Sequence, residues 1–193
     1  MSDSRREAIA DAAIEIIAME GLRALTHRAI DSRLDYPAGS TSYYLRTRQA
    51  LIEAVVHRLC ARTFQDVEAS QSPALPGDPS NAARMISKLI SSMASERPFD
   101  HLARFALRID LIDEPELHGL ISDKSPVRTQ LMAAGEVMLR SIGVQDPGAF
   151  AADLVALVDS LLFDQLTNGR AAGNPERVLQ AYLAGLLQQS SSE

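Results

Sequence analysis

Proline divides the C-terminal two thirds of this chain into segments, at Pro98, Pro115, Pro126, Pro147 and Pro175, with Gly143, Gly169 and Gly173 placed to close several of them. Proline lacks the amide that a helix interior needs but has φ already set for a first turn, whereas glycine accepts the left-handed backbone that ends a helix. The pattern predicts helices near 80–96, 99–112, 114–121, 125–142, 147–168 and 175–189. No strand alternation or repeat competes with it, and the one biased tract is the polar tail Ser190 to Glu193. Composition agrees: 46% of residues are hydrophobic, only 5% are aromatic and Trp is absent, which favours helices over sheets. The expected fold class is all-α, with a three-helix head followed by a larger helical domain.

The head is read from local signals. Ile9, Ala12, Ala13, Ile16 and Ile17 repeat at the spacing of one helix face, Ser4 with Glu7 makes a capping box, and Gly21 ends the helix. Thr26 caps a second helix reaching Leu34, and Leu25 staples onto Ile30. Asp35, Tyr36 and Pro37 form a turn, a third short helix runs from Ala38 to Tyr44, and Thr47 caps a fourth carrying Leu51, Ile52, Val55, Val56 and Leu59. Pro73, Pro76, Gly77 and Pro79 mark a joint. The expected domains are 1–48, with helix four (about 48–70) as connector, and 71–193.

The net charge of −6 argues against a generally basic nucleic-acid coat, but the charge is unevenly placed. Residues 1–50 hold seven Arg against seven acids, five of which (Asp3, Glu7, Asp11, Glu15 and Glu20) precede Gly21. From 26 to 48, Arg28, Arg33, Arg46 and Arg48 face only Asp31 and Asp35. The single cysteine, Cys60, forms no internal disulfide and has no metal-site spacing. The N-terminus lacks the apolar core of a secretion signal, and no stretch approaches the roughly 18–20 apolar residues of a membrane span. A cytoplasmic chain with no membrane partner is expected. His27, His57, His101 and His118 are scattered, and no metal motif or phosphate loop is present, so neither enzymatic activity nor a cofactor is expected.

Two short helices across a three-residue turn, flanked by longer ones, have the order of a helix-turn-helix unit. Ala38, Gly39, Ser40, Thr41 and Ser42 allow close backbone approach to DNA and offer hydroxyls, and Tyr43 and Tyr44 add phenolic donors. Arg28 is placed to reach a guanine and Arg48 to hold a phosphate with the amides of helix four. The same residues also suit a bundle, with Gly39 to Leu45 as a small-residue corner, the tyrosines capping a core and Arg28 pairing with Asp31 three residues on.

In this ordered set the chain resembles TetR-family transcription regulators over residues 5–60: the first helix ending at Gly21, Leu25-Thr26, Ile30, the turn, the run Gly39 to Leu45, then Arg48 and Leu51. The resemblance implies phosphate contacts from Thr26, Tyr44 and Arg48, and groove contacts from Arg28, Ala38, Gly39, Ser40 and Tyr43. The chain departs from the family pattern at Ser42, where an aromatic is usual, Leu45 for Phe, Arg48 for Lys, and Asp35 for the turn glycine.

The resemblance further implies a homodimer that binds a palindromic DNA operator as a repressor and is released by a small-molecule effector. Leu154, Leu157, Val158, Leu161 and Leu162, with Val178, Leu179, Tyr182, Leu183, Leu186 and Leu187, form two stripes suited to a two-fold interface or to an internal core. Met85, Met93, Met132 and Met138 suit an adaptable pocket or ordinary core filling. Arg104, Phe105 and Arg108 suit a carboxylate ligand, or the arginines pair with Asp110, Asp113 or Glu114. The rival to a DNA-binding regulator is a helical ligand-binding or protein-interaction module.

Overall fold

Ile9, Ala12, Ala13, Ile16 and Ile17 are buried on α1 (Ser2–Glu20). Ala10 and Ile14, off that stripe, are buried too, so α1 is enclosed on more than one side. The helix begins at Ser2, which places Ser4 inside it and not at the expected cap. Gly21 ends it, donating its amide to Ile17 O at 3.0 Å and turning the chain with a φ of 83° that disfavours a side chain. In this computed structural model, which describes residues 2–69, 75–122 and 125–190, a 3-10 turn (Leu22–Ala24) leads into α2 (His27–Arg33), α3 (Ser40–Tyr44) and α4 (Arg48–Ala69). Pro73 and residues 191–193 of the polar tail lie outside the described residues.

Proline opens each of the next six helices: α5 (Pro79–Glu96), α6 (Pro98–Asp110), α7 (Pro115–Ile121), α8 (Pro126–Ser141), α9 (Pro147–Asn168) and α10 (Pro175–Ser190). The side chain of Asp78 caps α5, accepting from Asn81 N at 2.9 Å. The expected boundaries agree within two residues, and no strand occurs among the described residues.

Packing sorts these elements into two units. The residues up to Glu68 join Phe99–Arg128, and Ala69–Pro98 join those from Thr129 onward. Helices α6 and α7, which a linear reading assigns to the second domain, therefore pack with the head: Ala103, Leu107, Leu111, Leu117 and Ile121 share a core with α1, α2 and α4. Each such large side chain gains about 1.5–3 kcal/mol from burial, before ordering entropy is charged against it. Polar links reinforce that core. Asp11 on α1 accepts from Arg58 Nε at 2.8 Å and from Arg62 Nη2 at 2.7 Å, and Arg62 Nη1 reaches Asp100 on α6 at 2.7 Å.

In the second unit α5 packs on α9 and α10. Leu154, Leu161, Leu179, Leu183 and Leu186 are buried within the chain itself, so these leucines of the expected two-fold face are internal core. Leu157, Val158 and Tyr182 are half-buried, and Phe163 and Val178 are exposed.

Candidate nucleic-acid interface

The N-terminus of α2 and the two ends of α3 are fixed by side chains rather than by helix length. Thr26 is extended and its Oγ1 accepts from Ala29 N at 3.1 Å, the expected cap. His27 Nε2 lies 2.6 Å from Leu45 O, tying the start of α2 to the end of α3. Thr47 caps α4 through Ala50 N at 3.0 Å. Arg48 Nη2 donates to Leu22 O at 2.9 Å, so the first turn of α4 is held to the 3-10 turn.

A five-residue helix cannot hold itself together, because nucleation costs more than its few hydrogen bonds return. Its N-cap is Gly39, left-handed at φ 90° and without a side chain to satisfy the following amides. Asp31 of α2 supplies the missing acceptor. Its Oδ2 accepts from Gly39 N at 2.8 Å, and its Oδ1 accepts from Thr41 N at 2.8 Å and Thr41 Oγ1 at 2.6 Å. Burial pushes the Asp31 carboxyl pKa up, but these three donors and the nearby His27 outweigh it and hold it below the ordinary 3.8. Thr41 is 0% exposed, so its hydroxyl is not among those offered to DNA. Arg28 does not pair with Asp31, whose oxygens are engaged by α3.

The outward side of α3 carries the remaining candidates. Tyr43 is 78% exposed and stands edge-on to Tyr44 at 5.1 Å, while Tyr44 is half-buried against the core. The two tyrosines thus differ in role: one projects, the other anchors. Ala38 and Gly39 are exposed. Ser40 Oγ donates to Pro37 O at 2.6 Å and Ser42 Oγ to Gly39 O at 2.9 Å, so both hydroxyl protons are satisfied locally and each oxygen keeps its capacity to accept.

Charge around α3 is more positive than the neutral sum for the head suggests. Arg33 pairs with Glu15 at 3.3 Å and Glu20 at 2.7 Å, Asp11 is taken by Arg58 and Arg62, and Asp31 is buried. Among the described residues, exposed Arg28 and Arg46 meet no carboxylate, and Arg48 contacts only a carbonyl. Sequence reasoning missed the placements of Asp31, His27 and Arg46. Asp31 was detectable, since it shares the i, i+4, i+7 face of α2 with His27 and Leu34 and so turns inward.

The candidate pocket residues are divided. Arg104, Phe105 and Arg108 lie on α6 in the first unit, and Met85, Met93 and Met132 lie half-buried on α5 and α8 in the second. Arg104 has its guanidinium 5.7 Å from the Phe105 ring and Nη2 at 3.3 Å from His101 Nδ1. Burial pushes the Cys60 thiol pKa up against the pull of Ser125 and Arg104, which disfavours a reactive thiolate. The hydroxyl of Tyr182 is buried without a hydrogen-bond partner among the described residues, and burial, with the charge of Asp153, raises its pKa. Among the described residues no group of three His, Cys, Asp or Glu side chains is placed to hold a metal ion, and no helix is long and apolar enough to cross a membrane.

Comparison with known proteins places this geometry. Residues 77–189 match the family described as "Tetracyclin repressor-like, C-terminal domain". No curated protein matches the sequence. The fold is that of a TetR-family member from Streptomyces coelicolor A3, 24% identical with a TM-score of 0.65, over 94% of this chain and 97% of that one. A transcriptional regulator from Rhodococcus sp. RHA1 superposes with a TM-score of 0.76 at 18% identity, over 95% of this chain and 96% of its own. A Saccharomonospora viridis protein in complex with choline gives 0.72 at 18% identity, over 96% of each chain. At these identities the likeness is one of fold.

Proposed function

The chain belongs to the TetR family of transcriptional regulators, and we propose that it is a cytoplasmic homodimeric repressor whose head reads a palindromic DNA operator and releases it when a small molecule binds the body. One observation carries the DNA-binding reading: the exposed cations Arg28, Arg46 and Arg48 lie on the segments flanking α3, while Glu7, Asp11, Glu15 and Glu20 of α1 pair with Arg58, Arg62 or Arg33 and Asp31 of α2 is buried, so that of the head's acids Asp3 and Asp35 alone are exposed without an ion pair among the described residues. Salt-dependent phosphate contact requires that arrangement.

In this reading Thr26, Tyr44 and Arg48 hold phosphates, while Arg28, Ala38, Gly39, Ser40, Ser42 and Tyr43 face the groove. Tyr43 enters furthest. Two heads about one helical turn apart require a dimer. Exposed Phe163 and Val178, with half-buried Leu157, Val158 and Tyr182, supply apolar surface for it on α9 and α10. The choline complex of the S. viridis protein supports a small organic effector, with Met85, Met93 and Met132, or Arg104, Phe105 and Arg108, as lining. The effector must prefer the state with lower DNA affinity. The reading excludes catalysis as the chain's role.

Selection of bound duplexes from a random pool tests the proposal. Enrichment of a pseudo-palindrome with half-sites about one turn apart is the expected result. A pool that stays random after repeated rounds contradicts it.

A further inference from the structure

The proposed function says that α3 contacts DNA but not what makes so short a helix a specific reader. We infer that Asp31 is the positioning residue of α3, and that its bonds to Gly39 and Thr41 set the sequence discrimination of the head. The inference rests on the reading of α3 as the DNA-contacting helix.

The cap of α3 comes from a different helix. Gly39 has no side chain, and the hydroxyls of Ser40 and Ser42 point back to Pro37 O and Gly39 O, leaving the Gly39 and Thr41 amides to Asp31 alone. Because Thr41 also donates its hydroxyl to Asp31, the carboxylate fixes rotation about the α3 axis as well as its end. Rotation decides which side chains face outward: Thr41 is 0% exposed and Tyr43, two residues on, is 78% exposed. A helix anchored at one buried carboxylate loses little freedom on binding, and a loose one pays that ordering cost when it meets DNA. The same three bonds keep Asp31 from neutralising Arg28, one turn earlier. Asp31 touches no nucleic acid in this arrangement and acts only through α3.

The consequence falls on discrimination. Of the phosphate-holding residues Thr26 and Arg48 lie outside α3, as does the exposed Arg46, so most phosphate attraction survives a loosened α3 while base readout does not. Asp31→Asn presents one acceptor oxygen and an NH2 group where three donors converge. Thr41→Val removes the hydroxyl at nearly constant volume, and Thr41→Ser keeps both hydroxyl and amide.

The test titrates the full chain and its three variants onto two duplexes, the best-bound sequence from random selection and a scrambled one, at two salt concentrations, with thermal unfolding followed in parallel. Asp31→Asn and Thr41→Val should each weaken binding to the selected duplex by about tenfold, consistent with loss of a charge-assisted hydrogen bond. Their binding to the scrambled duplex and both salt slopes should not change, and Thr41→Ser should restore most of what Thr41→Val loses. Equal losses on both duplexes would make Asp31 a fold-holding residue only and overturn the inference, as would wild-type discrimination in both variants. If Asp31→Asn fails to fold, the Thr41→Val and Thr41→Ser pair decides alone. A wild-type chain that does not distinguish the duplexes overturns the DNA-reading function itself, a result separate from the others.

Discussion

Arg48 donates from Nη2 to the carbonyl oxygen of Leu22 at 2.9 Å, which ties the first residue of α4 to the 3-10 turn. That bond uses one of five N–H groups, so an anion can take the rest. Arg48→Ala should weaken DNA binding by about tenfold irrespective of sequence and lower the salt slope by about one. Arg48→Lys keeps the slope. Fluorescence anisotropy over a range of salt concentrations measures both.

Tyr43 and Tyr44 differ in what they contribute to folding stability. Tyr43→Ala removes an exposed ring and should change folding stability by less than about 0.5 kcal/mol, while reducing specific DNA binding. Tyr44→Ala removes a ring packed on the core and should cost about 1–2 kcal/mol in urea unfolding.

Asp35 has φ 51°, the one positive value outside glycine among the described residues, at the position where the family pattern has glycine. Left-handed backbone is costly for residues with Cβ and least so for Asp and Asn, whose side chains bond locally. Asp35→Gly should therefore be more stable than Asp35→Ala by about 1 kcal/mol, read from their denaturation midpoints.

Asp31 gives the acid response a sign. Its folded-state pKa is depressed below 3.8, so its contribution is complete above the unfolded carboxyl value and is lost as pH falls through the lower folded value. Wild type should exceed Asp31→Asn in stability by about 1–3 kcal/mol from neutral pH down to about 4, and the gap should narrow below that. Urea unfolding at pH 7, 5 and 3 checks it. A gap that widens on acidification has the wrong sign.

The helix order was legible because its signals are local. Proline sits at the first position of α5 to α10, Thr26 and Thr47 cap through their own hydroxyls, and Gly21 ends α1. What was not legible depends on contacts far apart in sequence. That Asp31 would cap α3 ten residues on, that Arg48 would reach back to Leu22, and that α6 and α7 would pack with the head each needs a tertiary partner. The leucine stripes of α9 and α10 show the converse limit. Periodicity marks a face as apolar, but Leu154, Leu179 and Leu183 are covered by the chain itself, and only packing decides that.

The central claim is that the head discriminates DNA sequence through α3 and holds DNA through the cations around it. Affinity for a selected pseudo-palindromic duplex and for a scrambled duplex, titrated at about 50 and 200 mM salt, tests it most directly. The account predicts binding to both that falls steeply with salt, with the selected duplex at least about a thousandfold tighter at each concentration. Salt-insensitive binding, or equal affinity for the two duplexes, would contradict it.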